Sequence, residues 1–272
     1  SWTAPSTGTA PVQYEYAVTT SATPPTSGTI VTGTSASVSG LTSNTTYYLH
    51  VRSECSIGVD YSSWTSTSFA TPLVTSAPWT EGFATTATPN GWSNTGGSYG
   101  TARGATGNPG NNWYSNIWSS NTSANTSTIT VGTIPAGMRF SFDYQLSNYA
   151  SPYASPAASA CSIAVEISTN YGATYTTLET IVSDGTAGWK TKAYDLSAYV
   201  GQYVKFRITG TWDSTVAGDF DLALDNFSVN YTPITVASFA PTAVCSADLA
   251  TSVVTLTGTN FTGATDVQLN GV

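Results

Sequence analysis

The sequence predicts an all-β fold of tandem β-sandwiches, on three observations. Short segments such as VQYEYAVTT, TYYLHVRSE, RFSFDYQL, SIAVEIST, YVKFRIT, LALDNFSVNY and VVTLTGTNF are rich in β-branched and aromatic residues and alternate with a period near two, the mark of strands with one buried face. No segment sustains the 3.6-residue apolar period of a helix. Between the segments lie turn residues, and only 8% of the chain is charged, so its surface is built from Ser, Thr, Asn and Tyr, as in extracellular all-β proteins.

Composition also limits function. A chain of 272 residues suggests two domains or a little more, at ~100 to 200 residues each. Its net charge of −8 opposes phosphate backbones, which bind through Lys and Arg, so nucleic acid is not expected as a partner. No apolar run approaches the ~20 residues that span a bilayer, so no membrane insertion of this segment is expected, and Ser1 opens mid-pattern without a signal peptide. Cys55, Cys161 and Cys245 lie far apart with one histidine in the chain, which excludes the usual zinc spacings and leaves their pairing unassigned.

Two Pro-bearing seams, TPLVTSAP and NYTPITVASFAP, divide the chain into residues 1–76, 77–232 and 233–272. In the first segment SWTAPSTG, VQYEYAVTT, LTSNTTYYLHVRSEC and SSWTSTSFATP follow one another, and the segment resembles a fibronectin type III module that lacks its first strand. That resemblance implies that Leu41, Tyr47, Leu49 and Val51 face inward and that the Tyr47 hydroxyl makes the corner hydrogen bond of immunoglobulin-like sandwiches. In the second, WTEGFATTATPNGW, VEISTNYGATYTTLETI, AYDLSAYVGQYVKFRITGTW and LALDNFSV resemble the jelly-roll modules of MAM, cleaved-adhesin and choice-of-anchor type. The third, with ITVASFAPTAV and VTLTGTNFTGATDVQLNGV, resembles the N-terminal part of an IPT/TIG immunoglobulin-like module.

The run PWTEGFATTATPNGWSN sets a carboxylate into aromatic surroundings. The jelly-roll resemblance implies that Glu81 and Asp225 meet in space and hold calcium, with Asp143 as a third candidate; Ca²⁺ takes six to eight oxygen ligands. The alternative is that Glu81 caps a turn and Asp225 accepts backbone hydrogen bonds. Asp219 and Asp221 join Asp225 in GDFDLALDN, where alternation gathers the carboxylates on one strand face. Trp113, Tyr114 and Trp118 in NNWYSNIWSSN are candidates either for the core or for stacking on sugar rings, and Tyr149 and Tyr153 lie on what reads as a long loop.

Catalysis has little support. Alternation sets His50 opposite Leu49 and Val51, on a face expected to be solvated, and no Ser-His-Asp set assembles around it. The triplet Asp213-Ser214-Thr215 resembles a short bacterial O-glycosylation motif at Ser214, and equally an ordinary turn. The expectation is a non-catalytic structural or adhesive protein of the bacterial cell surface, whose partners are neighbouring modules or subunits, surface glycans or other cells. The alternative is an accessory carbohydrate-binding module of a secreted polysaccharide-degrading enzyme.

Overall fold

A computed structural model describes residues 1–102, 108, 110–156, 161–213, 219–240 and 253–261. Ser214 and Cys245 lie outside the described residues. Among the described ones the structure is almost entirely strand, with a single short 3-10 turn at Ser197–Tyr199, as the period-two patterning predicts. Contacts divide the chain into two compact units, Ser1–Val74 and Thr75–Val272.

In the smaller unit β1 (Gln13–Thr19), β2 (Thr29–Val31), β3 (Thr46–Ser56), β4 (Asp60–Tyr61) and β5 (Thr65–Ala70) form one antiparallel sheet in the order β2-β1-β3-β4, with β5 also on β3. Alternation sends Tyr14, Tyr16, Leu49 and Val51 to one face, where Trp2 packs edge-on against Tyr14 at 5.6 Å. Trp2, Tyr14, Leu49 and Val51 line a hollow of about 390 Å³ on that face. The Tyr47 hydroxyl accepts the Thr42 N–H at 2.9 Å, the corner hydrogen bond expected of it.

The opposite face corrects the expectation for His50. Its parity is as predicted, but the face is covered and the imidazole is fully buried. Nδ1 lies 2.7 Å from Ser66 Oγ, and Nε2 lies 3.0 Å from Thr19 Oγ1 and 3.2 Å from the Ser21 carbonyl, while Tyr48 and Trp64 flank the ring. Beside it Arg52 pairs with Glu15 at 2.6 Å and stacks over Tyr61 and Trp64. Covering loops and aromatic rings supply the partners that sequence alternation alone assigns to water. His50→Ala removes these bonds and opens a cavity, and is expected to cost about 2 kcal/mol in a urea titration of the whole chain.

Val74–Thr75 (β6) bridges the seam. The larger unit follows with β7 (Trp79–Glu81), β8 (Ser93–Thr95), β9 (Ser98–Gly100), β10 (Asn112–Ile117), β11 (Ser123–Ser127), β12 (Thr130–Val131), β13 (Met138–Asn148), β14 (Ser162–Ser168), β15 (Thr176–Val182), β16 (Lys190–Asp195), β17 (Lys205–Thr211) and β18 (Phe220–Tyr231). Two antiparallel sheets result. One runs β16-β13-β18-β10-β9, with β7 also on β18; the other runs β15-β14-β17-β11-β8.

Phe140 of β13 lies flat against Phe206 of β17, ring centroids 3.6 Å apart, and joins the two inner faces. Around this stack Trp113, Phe142, Phe227, Ile163 and Ile208 are fully buried, so aromatic rings fill a core that is poor in Leu and Met. Trp113 packs so closely on Gly97 that a Cβ there would sit 2.3 Å from the indole. Gly97→Ala is therefore expected to destabilise the unit by ~1–3 kcal/mol through overpacking, read as a lowered urea midpoint.

At one margin of the sandwich the sheets are clasped by polar groups. Lys192 Nζ and Tyr194 Oη of β16 donate to the two carboxylate oxygens of Glu179 on β15, at 2.6 and 2.8 Å. Beyond β18 a hairpin of β19 (Thr235–Ala240) and β20 (Thr255–Thr259) stands with Ile234, Val236 and Phe239 exposed. Asn260, at φ 65°, donates its amide to the Pro233 carbonyl at 2.8 Å and closes the hairpin's base.

Candidate functional site

The candidate site is built on the outer face of the six-stranded sheet. On β13 and β18, residues opposite in register share a face, so Ser147–Asp221, Gln145–Ala223 and Asp143–Asp225 form three successive rows pointing away from the core. Neighbouring β10 adds Asn116 beside Asp221 and Tyr114 beside Ala223, and the pairing of Trp113 with Leu224 carries Asn112 into the row of Asp225. From β16, Thr191 faces Asp143, and the pairing of Lys190 with Tyr144 carries Trp189 to Gln145.

The middle row joins two aromatic rings to small and amide side chains. Ala102 and Ala223 are buried, and the half-buried rings of Tyr114 and Trp189 pack against them. Two residues from Tyr114, Asn112 is 1% exposed, with neither its amide nitrogen nor its amide oxygen hydrogen-bonded among the described residues, and the Trp189 indole N–H likewise has no hydrogen-bond partner among them. Native proteins leave few such groups, because each costs ~1–3 kcal/mol. Ring faces together with an unpartnered donor and acceptor are suited to a ligand with apolar faces and hydroxyl edges.

The outer row holds the carboxylates. Asp143 and Asp225 are opposite in register, and Glu81 on β7 faces Phe227, two positions along β18. A β-bulge between Ser141 and Asp143, with Asn226 at φ 51°, lets Asp225 point outward and Phe227 inward, while turning the Asn226 amide onto Asp143 at 2.8 Å. Burial pushes the Asp225 carboxyl up to about 6; the neighbouring Asp143 and Glu81 charges add to the rise, against the opposing hydrogen bond from the Asn226 N–H.

Both sequence alternatives for these carboxylates leave a trace. Glu81 Oε1 accepts the Phe83 N–H at 2.7 Å and Asp225 Oδ1 accepts the Asn226 N–H at 2.7 Å, the turn and backbone roles. Yet Asp143 and Asp225 sit together at one end of the outer face, Glu81, in register with the inward Phe227, is near enough for its charge to act on Asp225, and all their donors are hard oxygens, the chemistry that suits calcium. Among the described residues no three His, Cys, Asp or Glu side chains converge tightly enough to hold an ion. Asp143 is the member most engaged elsewhere, with Oδ1 taken by Thr191 at 2.6 Å and Oδ2 by Asn226. Glu81 also borders a hollow of about 310 Å³ lined by Phe83, Pro89 and Asn90, so backbone oxygens of that loop lie nearby.

The remaining sequence candidates scatter. Trp113 is fully buried and donates from Nε1 to Asn94 at 2.8 Å, which removes it from any surface site. Trp118, the other tryptophan of that run, is 43% exposed, at a turn where it bridges to Asn121. Tyr149 and Tyr153 occupy a turn after β13, and the Tyr149 N–H reaches the Asp219 carbonyl at 3.4 Å, so this turn flanks the row of Asp221. Cys55 and Cys161 are free thiols; burial pushes Cys161 up to about 12, which makes it inert as a nucleophile.

No family model matches the chain, and no curated protein does. Among solved structures, a family 61 carbohydrate-binding module in complex with β-1,4-galactotriose is similar over 53% of this chain and 90% of its own, at 16% identity and a TM-score of 0.35. A carbohydrate-binding module of the β-sandwich superfamily matches over 82% of this chain and 86% of its own, at 14% identity and TM-score 0.35. A Stig cyclase from Fischerella sp. TAU matches over 55% and 89%, at 14% identity and TM-score 0.34. The second of these is named as a β-sandwich, the fold class of this chain.

Proposed function

We propose that the chain is a non-catalytic extracellular binding protein in which the larger unit takes carbohydrate on the outer face of its six-stranded sheet, in an adhesive role at a bacterial surface. The observation that carries this reading is Asn112, buried with both amide atoms unpartnered, two residues from the half-buried ring of Tyr114 on the sheet face that also carries Trp189. A sugar ring lays its C–H face on an aromatic ring and offers hydroxyls as donors and acceptors at its edge, which meets both needs at once. The order of motifs that resembles jelly-roll adhesin modules supports the surface setting. In this reading calcium sits at Glu81 and Asp225 as a structural ion that ties β7 to β18, outside the sugar row.

Retention of the whole chain on a panel of immobilised polysaccharides tests the proposal. At least one polymer is expected to retain it, and Trp189→Ala and Asn112→Ala are each expected to weaken binding about tenfold or more, the loss of ~1.4 kcal/mol or more. Trp118→Ala, an exposed ring away from the row, is expected to leave binding unchanged. No retention on any polysaccharide, or equal retention by the Trp189 and Asn112 variants, sinks the carbohydrate reading.

A further inference from the structure

We infer that the outer face of the sheet β15-β14-β17-β11-β8 carries a second binding site, formed by Lys205, Tyr171 and Tyr203, for a uronate residue of an acidic polysaccharide. This site is independent of the Tyr114–Trp189 face, which belongs to the other sheet. Val204 and Phe206 are fully buried, so Tyr203 and Lys205 point outward together, about 7 Å apart along an extended chain. Ser168 lies opposite Lys205 in register, and the turn after β14 brings the Tyr171 ring to 5.6 Å from that of Tyr203. The two rings are 45% and 37% exposed, so each offers part of its surface to a ligand. The turn that carries Tyr171 is braced: Ser168 Oγ donates to Asn170 Oδ1 at 2.8 Å and accepts the Gly172 N–H at 2.9 Å, while Asn170 bonds Thr174 through both amide atoms. Tyr171 itself is held at φ 60°, a conformation that a bulky residue keeps only where its surroundings impose it. A ring fixed in this way loses little freedom when it is covered.

Lys205 is the charged member. Arg52, Lys190, Lys192 and Arg207 each pair with a carboxylate, whereas Lys205 has neither an ion pair nor a hydrogen bond among the described residues. Its half-burial, with no anion to offset it, pulls the ammonium below the usual lysine range. The stem lies along the braced turn, where a Cβ at Gly172 would come within 3.3 Å of Lys205 Cδ. The flanking runs 169–175 and 198–204 contain no acidic residue. Glu166, on the same face of β14 as Ser168, is held by Arg207 through two bonds of 2.7 Å and by Thr209 at 3.0 Å. A half-buried ammonium without a counter-ion gains from a carboxylate that a ligand brings, and charge-assisted hydrogen bonds are the stronger kind. One ammonium is a point charge that matches one carboxylate, and the rings beside it suit the C–H face of a sugar; a uronate residue meets both.

The test uses the whole chain with chelator at about 0.15 M salt, where a screening length of about 8 Å mutes remote acidic residues but not a direct contact. Polygalacturonate, alginate and hyaluronan are each compared with their own carboxyl-reduced forms, and polyglutamate supplies carboxylates without sugar rings. At least one uronate polymer is expected to bind about tenfold or more tightly than both its reduced form and polyglutamate. Lys205→Gln is expected to abolish that preference and Lys205→Arg to keep it, while Tyr171→Ala weakens the uronate polymer and its reduced form alike. Trp189→Ala is expected to leave the preference intact. Uronate polymers bound no more tightly than their reduced forms, a preference that survives Lys205→Gln, or polyglutamate held as tightly overturns the inference. So does a preference lost in Trp189→Ala, which places the acidic sugar on the first face. Retention of neutral polysaccharides alone overturns the second site and leaves the carbohydrate reading of the first face standing.

Discussion

Phe140→Ala is expected to lower the stability of the larger unit by ~3–5 kcal/mol, read as a shift of the urea midpoint at unchanged slope. The ring is fully buried and is the point at which the two sheets touch most closely, 3.6 Å from Phe206 and parallel to within 5°. It also packs near Phe142 at 5.5 Å and Phe227 at 6.2 Å, so its removal opens a void bounded by other rings. Rigid flat side chains collapse poorly into such a space, which places the cost at the upper end for core truncations. Phe140→Leu keeps part of the volume and is expected to recover part of the loss. Tyr149→Ala, at a residue 43% exposed, is the control and is expected to stay within about 0.5 kcal/mol of the parent. A Phe140→Ala midpoint equal to that of the control contradicts the assignment of this stack as the centre of the core.

The second large effect is expected at the carboxylate row and has opposite signs with and without calcium. The Asp225 carboxyl is raised to about 6 in the folded chain, chiefly by burial. The folded state therefore holds this proton more tightly than the unfolded one, and stability from this group rises as pH falls from 7 through 6. Below about 4.5 other carboxylates reverse the trend. Glu54 is held low by the Gly58 N–H, Glu166 by Arg207, Glu179 by Lys192 and Asp184 by Lys190, and each loses its bond on protonation. With chelator, the melting temperature is thus expected to pass through a maximum between about pH 4 and 6.

Calcium inverts the upper limb of that profile, because its carboxylate ligands must be deprotonated. At a hundred times its dissociation constant the ion is expected to add ~2.7 kcal/mol at pH 7, and this gain falls on acidification. Asp225→Asn is expected to abolish both the acid-side rise and the calcium gain, and Glu81→Gln the calcium gain. A melting temperature at pH 7 that is indifferent to calcium and chelator would leave Glu81 as a turn cap and Asp225 as a buried acid. A chelator-treated profile that declines steadily from pH 7 to 4.5 would contradict the burial of Asp225.

Much of the fold is legible in the sequence because long strands alternate. RFSFDYQL, SIAVEIST and YVKFRIT fall within or across β13, β14 and β17, with their apolar members inside. Edge elements such as β8 (SNT) and β9 (SYG) leave no such trace, since their residues are turn formers held by register with longer neighbours. The site was half legible. Asp143 and Asp225 are opposite in register, with Glu81 on β7 two positions along β18, but Asn112 and Trp189 are not flagged by any motif. Their signal is parity: Asn112 shares the outward parity of Tyr114, and Trp189 that of Thr191. What parity cannot tell is whether an outward face is covered, and that is why His50, Asp221 and Asn112 are buried on faces that alternation assigns to solvent.

The margins of the larger unit bear on how densely such modules are tolerated. A sheet margin with free N–H and C=O groups is a template for another molecule, and crowded surface proteins run that risk continually. Among the margins of its two large sheets, β7, β8 and β9 are three-residue strands, too brief to template much pairing. The other two are β15 and β16, whose Glu179 and Lys192 are locked to each other, with Lys190 alongside. Charged, clasped or short margins resist cross-molecular strand exchange. At these margins, copies of the module held at high local density are expected to stay separate molecules rather than fuse strand to strand.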